Sequence, residues 1–381
     1  MSRNSVKWLP AFVVPALVVS AVIAVPLQAD AAVDLPDKTP EQVLLLVNDS
    51  TVSAFSGTVS QSSDLGLPVF DVSAGMPNSS GDVGPGASST GVLTTAVELL
   101  SGSHEFRVYV GGEKQSRIQI KDHLAERDVI HNGNDVWLYD SSNNAATHLS
   151  LPAQPADTAP AKFADLQSEL PADLSSPAEL AERLLSQLDP GTTVSVGTDT
   201  RVAGRTVYQL VLTPKGADTL VQSVSISVDS ETGLPLRVTV LAQGQSKPAL
   251  QVGFTAIDFA APSSDLFDFV PPVNATVTEQ ALPPLRDAAA ADHHGEHAPA
   301  AGDLTVVTGT GWSSIIELPA IAVPAELGDN PMLEQLTSAV DGGRALTTSL
   351  LTVFLTADGR VFAGAAPLAS LQAAAEQSSS Q

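Results

Sequence analysis

The sequence predicts an α+β protein: a strongly curved antiparallel β half-barrel with a helical lid, followed by a small C-terminal α+β domain. About ten segments between residues 55 and 272 alternate apolar and polar residues, the period of strands buried on one face. Few amphipathic helix patterns accompany them, and two or three helices cannot cover a sheet of that width. The apolar face must therefore curl around a hollow. A plain sandwich or a filled barrel would give the same periodicity.

Composition excludes several classes of function. The 381 residues contain 18 Lys and Arg against 42 Asp and Glu, and a net charge of −24 repels nucleic acid. No cysteine is present, so disulfides, thiolate metal sites and Cys nucleophiles are excluded. The chain length fits about two domains.

The N-terminus predicts export. Arg3 and Lys7 precede an apolar run over residues 11–27, and Ala29-Asp30-Ala31 forms a small-x-small cleavage site. Residues 1–31 are therefore interpreted as a signal peptide, with an uncleaved N-terminal anchor as the alternative. Both interpretations place the rest of the chain in an extracytoplasmic compartment.

The main domain is predicted over residues 32–272. A Thr39 cap and Pro40 open a helix over residues 40–54, and a first strand at 55–60 is followed by a Ser-, Gly- and Pro-rich insertion at 61–91. Gly111-Gly112 predicts a hairpin between alternating strands, and Asn132-Gly133 predicts another. A second helix, which we expect to form the lid, carries Leu180, Leu184 and Leu188 on one side.

Two further segments follow the main domain. Residues 273–302 are rich in Pro and Ala and are interpreted as a flexible linker. Residues 303–381 are predicted to form the small C-terminal domain, with short strands, a helix over residues 332–340 and a last helix from Leu368.

The order helix, strands, helical insertion, strands and small second domain resembles the LolA and RseB/MucB superfamily. The segments that carry the likeness are 100–110 (LSGSHEFRVYV), 132–139 (NGNDVWLY), 204–214 (GRTVYQLVLTP), 228–238 (VDSETGLPLRV) and 266–272 (LFDFVPP). It covers residues 40–272, and residues 312–366 distantly resemble the second domain of the RseB type. The insertion at 61–91 and the His-bearing linker depart from the pattern.

The resemblance implies a half-barrel that holds an acyl chain of a lipid or lipoprotein, with a transporter or an anti-sigma factor as a possible membrane partner. Each buried CH₂ group contributes about 0.8 kcal/mol, so an acyl ligand is physically reasonable. The candidate lining residues are the alternating apolar positions and the lid: Phe106, Val108, Ile118, Ile120, Leu180, Leu184, Leu210, Leu212, Ile226, Val228, Val238, Val240 and Phe254.

Motifs for chemistry are missing from the sequence. It contains no Gly-x-Ser-x-Gly, His-Glu-x-x-His or phosphate-binding loop, so no enzyme activity and no cofactor are expected. His293, His294 and His297 are weak candidates for a metal site, because they lie in the predicted linker without an evident supporting shell.

The favoured function is therefore a non-enzymatic carrier of an acyl lipid or lipoprotein. The alternative is a regulatory sensor of the RseB/MucB type, in which ligand binding changes the contact between the two domains and so the affinity for a membrane partner. A secreted hydrolase with a spatially assembled site and a structural adhesion module remain further alternatives.

Overall fold

A computed structural model of the protein describes residues 33–66, 102–121, 125–151, 191–281, 306–320 and 336–378. Within them the protein is mostly β, with one large sheet and a separate smaller sheet near the C-terminus. Several predicted features lie outside the described residues. They are the signal segment 1–31, residues 67–91 of the insertion, the lid positions Leu180, Leu184 and Leu188, and the linker histidines His293, His294 and His297.

In the part of the chain that the structure describes, the larger sheet has thirteen strands. They are β1 (Ala54–Ser63), β2 (Gly102–Gly111), β3 (Gln115–Lys121), β4 (Glu126–Asn132), β5 (Asp135–Asp140), β6 (Ala145–Ser150), β7 (Thr192–Val196), β8 (Thr200–Val202), β9 (Arg205–Pro214), β10 (Val221–Asp229), β11 (Pro235–Ala242), β12 (Leu250–Asp258) and β13 (Thr276–Ala281). Their order is β13-β6-β5-β4-β3-β2-β1-β12-β11-β10-β9-β7, and β8 pairs with β9. Two meanders therefore meet where β1 pairs with β12.

The hairpins of this sheet follow from turn glycines. Gly112 has φ +116° between β2 and β3, and Gly133 has φ +67° between β4 and β5. Both values lie in the left-handed region, which glycine adopts at little cost. The predicted hairpins at these two positions are confirmed.

One edge of the sheet differs from the antiparallel prediction. β13 runs parallel to β6, from Thr276 opposite Ala145 to Ala281 opposite Ser150. The reason is topological: the chain leaves β12 in the middle of the sheet and reaches the far edge by a crossover connection, which returns it in the same direction. The predicted linker at 273–302 thus contains a strand of the sheet, and residues 282–305 are outside the described part.

Helix α1 (Pro40–Asn48) begins at the predicted cap. The Gln42 backbone N–H donates to Thr39 Oγ1 at 3.4 Å, and the Thr39 N–H donates to Gln42 Oε1 at 2.9 Å, forming a capping box. The helix ends at Asn48 and not at residue 54, because polar residues follow and the strand β1 begins at Ala54. Val43 is fully buried against the larger sheet.

Among the described residues, the smaller sheet has six antiparallel strands, and one long helix packs on it. They are β14 (Val306–Thr308), β15 (Ile315–Leu318), β16 (Ser338–Val340), β17 (Gly343–Thr347), β18 (Thr352–Thr356), β19 (Val361–Gly364) and α2 (Leu368–Ser378). The prediction of a helix over residues 332–340 is wrong for 338–340, where the turn glycine Gly342, at φ +81°, folds β16 back onto β17. Leu371 and Ala375 of α2 pack on Phe354 and Phe362.

Candidate functional site

Strand register places every described lining candidate on one side of the larger sheet. Val59 lies opposite Phe106 on β2 and opposite Phe254 on β12, and the same register continues outward through both meanders. Directly opposed residues share a face, since side chains alternate along a strand. We call this side the apolar face. It carries eleven candidates: Phe106, Val108, Ile118, Ile120, Leu210, Leu212, Ile226, Val228, Val238, Val240 and Phe254.

The half of the apolar face formed by β7 and β9–β11 is closed. Leu210, Leu212, Ile226 and Val228 are each at most 1% exposed, and together with Val43 of α1 they form one buried cluster. Such positions contribute to stability as ordinary core. For these residues the structure gives packing partners within the protein.

The centre of the apolar face, on β1, β2 and β12, is also packed. The Phe55 and Phe254 rings meet edge to face, with centroids 5.8 Å apart. Gly57 lies beneath them, and a Cβ there would be 2.7 Å from both the Phe254 ring and the Ala256 carbonyl oxygen. Phe106 joins the same buried cluster. Aromatic packing of this kind requires glycine at position 57.

The remaining part, on β3–β6, is less covered. Ile118, Val129 and Leu138 lie in one row across three strands, and each is only partly buried by the described residues. A second row pairs Val136 with Leu149, also partly exposed. We call these five side chains the open apolar rows. They form a continuous apolar surface next to the packed centre.

Four members of the open apolar rows were missed in the sequence analysis, namely Val129, Val136, Leu138 and Leu149. The alternation in residues 136–139 already indicates that Val136 and Leu138 face opposite to Trp137 and Tyr139. Choosing between the two faces required the register of β4 and β5.

A histidine borders the open apolar rows. His131 pairs with Val136 across β4 and β5 and is buried, with Nε2 at 2.9 Å from the Gly133 carbonyl oxygen. Burial lowers the pKa of His131 below its ordinary value. The ring is therefore neutral at neutral pH and compatible with an apolar ligand.

The opposite face of the sheet is covered by the crossover connection after β12. Phe267 is buried against Gly111, and Arg117 donates to the Leu266 carbonyl oxygen at 3.3 Å. Arg117 also donates two hydrogen bonds, of 2.9 and 3.0 Å, to the carboxylate of Asp128. Burial raises the pKa of Asp128 in spite of this guanidinium. These contacts anchor the crossover connection.

A shallow depression of about 260 Å³ also lies on the opposite face. Its lining includes Ser56, Thr58, Arg107, Tyr109 and Asp258. None of these is a candidate lining residue. The depression is therefore distinct from the apolar face.

The smaller sheet contacts the larger one at the closed half of the apolar face. Trp312, Leu350 and Ala365 pack against the buried cluster that contains Leu212. The Trp312 Nε1–H donates to Thr192 Oγ1 at 2.7 Å, so the indole has both an apolar and a polar partner.

Backbone hydrogen bonds complete this contact. The Leu220 N–H donates to the Ala365 carbonyl oxygen at 2.7 Å, and the Ser349 N–H donates to the Leu65 carbonyl oxygen at 2.9 Å. We call the whole set, with the Trp312 packing, the domain contact. It places the smaller sheet directly on residues of the apolar face.

No group of three or more His, Cys, Asp or Glu side chains suited to a metal ion occurs among the residues the structure describes. The three linker histidines are not among those residues. In the described helices, none is both long and apolar enough to cross a membrane.

Residues 123–285 match the family model of the MucB/RseB N-terminal domain. The resemblance to the RseB/MucB and LolA superfamily expected from the sequence is confirmed. The matched region contains β4–β13, and so the closed half of the apolar face and four of the five residues of the open apolar rows, all except Ile118 of β3. No curated protein matches the chain significantly.

Solved structures of this superfamily also match the chain, at 15% identity or less and with TM-scores below 0.5. The MucA/MucB complex of Pseudomonas aeruginosa matches at 15% identity over 88% of this chain and 96% of the other, with a TM-score of 0.40. MucB in complex with the periplasmic part of MucA matches at 15% identity over 87% and 96%, with a TM-score of 0.41. A LolA-superfamily protein of Nitrosomonas europaea matches at 10% identity over 61% and 99%, with a TM-score of 0.23.

Proposed function

We propose that this chain is an extracytoplasmic, non-enzymatic regulatory sensor. Its larger sheet binds an acyl chain of a lipid or lipoprotein. Its smaller sheet binds a membrane partner of the anti-sigma-factor class with an affinity that depends on whether the acyl chain is bound. The observation that carries the proposal is the domain contact: the smaller sheet packs on the same apolar face to which we assign the ligand. The match of residues 123–285 to the MucB/RseB family supports the regulatory role.

The open apolar rows support an apolar ligand. Ile118, Val129 and Leu138 are flanked by the fully packed centre, and a chain laid along them would remove further apolar area from water. Transfer of a chain of about sixteen carbons out of water gains on the order of 10 kcal/mol. Leu180 and Leu184 are the lid positions in this proposal.

A curved, half-barrel form of the larger sheet is part of the proposal. The Cζ atom of Arg205, on β9, lies 4.8 Å from the centroid of the ring of Phe259, which follows β12. In a flat sheet β9 and β12 would be three strand spacings apart, about 14 Å. Val202 and Val207 also share a buried cluster with Phe254. Bending of the sheet at this end accounts for both contacts.

A carrier without a regulatory partner is the second candidate, since the open apolar rows would serve it equally well. The two functions differ at the domain contact. In a sensor, the ligand must alter that contact, because a ligand with equal affinity for both states shifts nothing.

The test uses Trp312 as a reporter. Residues 32–381 contain two tryptophans, Trp137 on the opposite face and Trp312 in the domain contact, so a Trp137→Phe variant isolates the second. A lysophospholipid with a palmitoyl chain, added below its critical micelle concentration, is expected to give a saturable change in Trp312 emission. The matched Trp312→Phe variant, which reports Trp137, should show none.

Lipid binding demonstrated by mass, with no change at Trp312, would favour the carrier. No lipid binding in either variant would contradict both candidates.

A further inference from the structure

The edge strand β13, which runs parallel to β6, is held by side-chain contacts that have no part in the proposed function. Glu279 of β13 lies opposite His148 of β6. His148 Nδ1 is 2.8 Å from Glu279 Oε2, and its Nε2 is 2.8 Å from Asp135 Oδ1 on β5. One imidazole thus links three strands of the larger sheet.

The two contacts specify a protonation state. A neutral imidazole carries one N–H, whereas ionised carboxylates only accept hydrogen bonds. Both contacts are therefore satisfied together only when His148 is an imidazolium. In the neutral ring, one nitrogen lone pair would face a carboxylate oxygen at 2.8 Å, which is repulsive.

The surroundings favour the cation. The Trp137 indole stacks on the His148 ring with centroids 4.2 Å apart at 15°, and an aromatic face attracts a cation. Asp135 and Glu279 are the carboxylates facing the ring from β5 and β13, and β6 carries no other charged residue. Arg117, in the same row across the sheet, is engaged by Asp128.

These charges move the titration of His148. Burial alone lowers its pKa, but the hydrogen bonds and charges of Asp135 and Glu279 outweigh burial and raise the pKa above the ordinary value of 6.5. A group with a raised native pKa stabilises the structure fully below its ordinary pKa, and this stabilisation is lost as pH rises through the raised value. The window of change thus lies above pH 6.5.

We propose that Asp135, His148 and Glu279 form a proton-controlled strap that strengthens the attachment of β13 to the sheet edge when His148 is protonated and lets β13 open more often when His148 is neutral. β13 is suited to such release, because it is an edge strand with Val277 44% exposed. Its release would add six residues, about 20 Å of extended chain, to the connection leading to the smaller sheet. Extracytoplasmic pH would then change the length of chain available to the smaller sheet whenever the domain contact opens.

Hydrogen–deuterium exchange of residues 32–381 between pH 5.5 and 8.5 tests the strap. After correction for the intrinsic pH dependence of exchange, the amides of residues 276–281 should open about fivefold more often at the upper pH, the ratio expected for losing two partly exposed ion pairs. Peptides from β9 and β10 serve as internal references and should not change.

Two variants test the strap, and a third serves as their control. In His148→Gln and Glu279→Gln the pH dependence at 276–281 should disappear, with opening near the high-pH level throughout, whereas His104→Gln on β2 should retain it. Urea unfolding of each variant establishes that the fold persists.

An NMR titration of His148 gives an independent measurement in the unmodified protein. A pKa below 6.5, or unchanged protection of residues 276–281 across the pH range, would overturn the proposal.

Discussion

Truncation of Leu138 is the perturbation that best separates ligand lining from core. Leu138 lies in the middle of the open apolar rows and is partly exposed, whereas Leu212 is 1% exposed in the closed half of the same face. A Leu→Ala change removes three carbons, or about 2.4 kcal/mol at about 0.8 kcal/mol per buried CH₂. Since the protein itself already covers part of Leu138, about half of this, ~1.2 kcal/mol, is available to a ligand.

Leu138→Ala should therefore weaken acyl binding about eightfold, while lowering the free energy of unfolding by only about 1 kcal/mol. Leu212→Ala should show the reverse: a loss of about 3 kcal/mol in unfolding free energy, typical of fully buried leucines, with ligand affinity of the folded fraction little changed. Displacement of a fluorescent fatty-acid analogue measures affinity, and urea titration measures stability.

Val277→Ala, an exposed apolar change on β13, is the matched control and should alter neither quantity. Two results would contradict a ligand on the open apolar rows: Leu138→Ala binding the analogue as tightly as the unmodified protein, or Leu212→Ala losing affinity without losing stability. Either result would move the ligand away from the open apolar rows.

Three further perturbations address the frame around the site. Val43→Ala should cost about 2 kcal/mol of unfolding free energy by opening a cavity under α1, and an unchanged urea midpoint would show that α1 does not seal the closed half. Trp312→Ala should loosen the domain contact and speed limited proteolysis between the two sheets, whereas equal cleavage rates would contradict its role. Burial raises the pKa of Asp229, but hydrogen bonds from Arg205 and Thr232 outweigh it and hold the pKa below its ordinary value. The contribution of the Arg205–Asp229 pair to stability is thus present above pH 3.8 and lost as pH falls through the lowered pKa. Asp229→Asn should therefore lower the free energy of unfolding by about 2 kcal/mol at pH 7 and make it less dependent on pH in acid. An unaltered pH dependence of stability in acid would contradict this role of the pair.

Local chemistry made much of the sheet predictable. Alternation identified the strands around Phe106, Ile118 and Leu210, and Gly112 and Gly133 marked the β2–β3 and β4–β5 hairpins. The Thr39 cap likewise located the start of α1. Each of these features depends on residues close together in the chain, so a single sequence contains the information.

Long-range order was harder to predict. β13 joins β6 across more than a hundred residues, and no local pattern in residues 276–281 indicates a parallel partner. β16 resembled the end of a helix because three residues are too few to show a period of two. The domain contact depends on Trp312 and Thr192, whose hydrogen bond follows only from the packing of two separate sheets.

The residues of the apolar face were predictable from the sequence, but the division of this face into a closed half and open apolar rows was not. Alternation placed the lining candidates on the apolar side of their strands, and the register now joins the eleven described ones into one face. The division of that face into a closed half and open apolar rows depends on what α1 and Trp312 cover. That coverage is a property of tertiary packing, so Leu212 and Ile118 looked equivalent in the sequence.

Native mass spectrometry of residues 32–381 isolated from an exporting host, followed by solvent extraction and mass analysis of the released material, tests acyl binding by the apolar face most directly. We expect a stoichiometric acyl lipid that leaves on unfolding and rebinds on refolding. A protein that carries no lipid and also fails to bind added lysophospholipid would contradict an acyl-binding function for the apolar face.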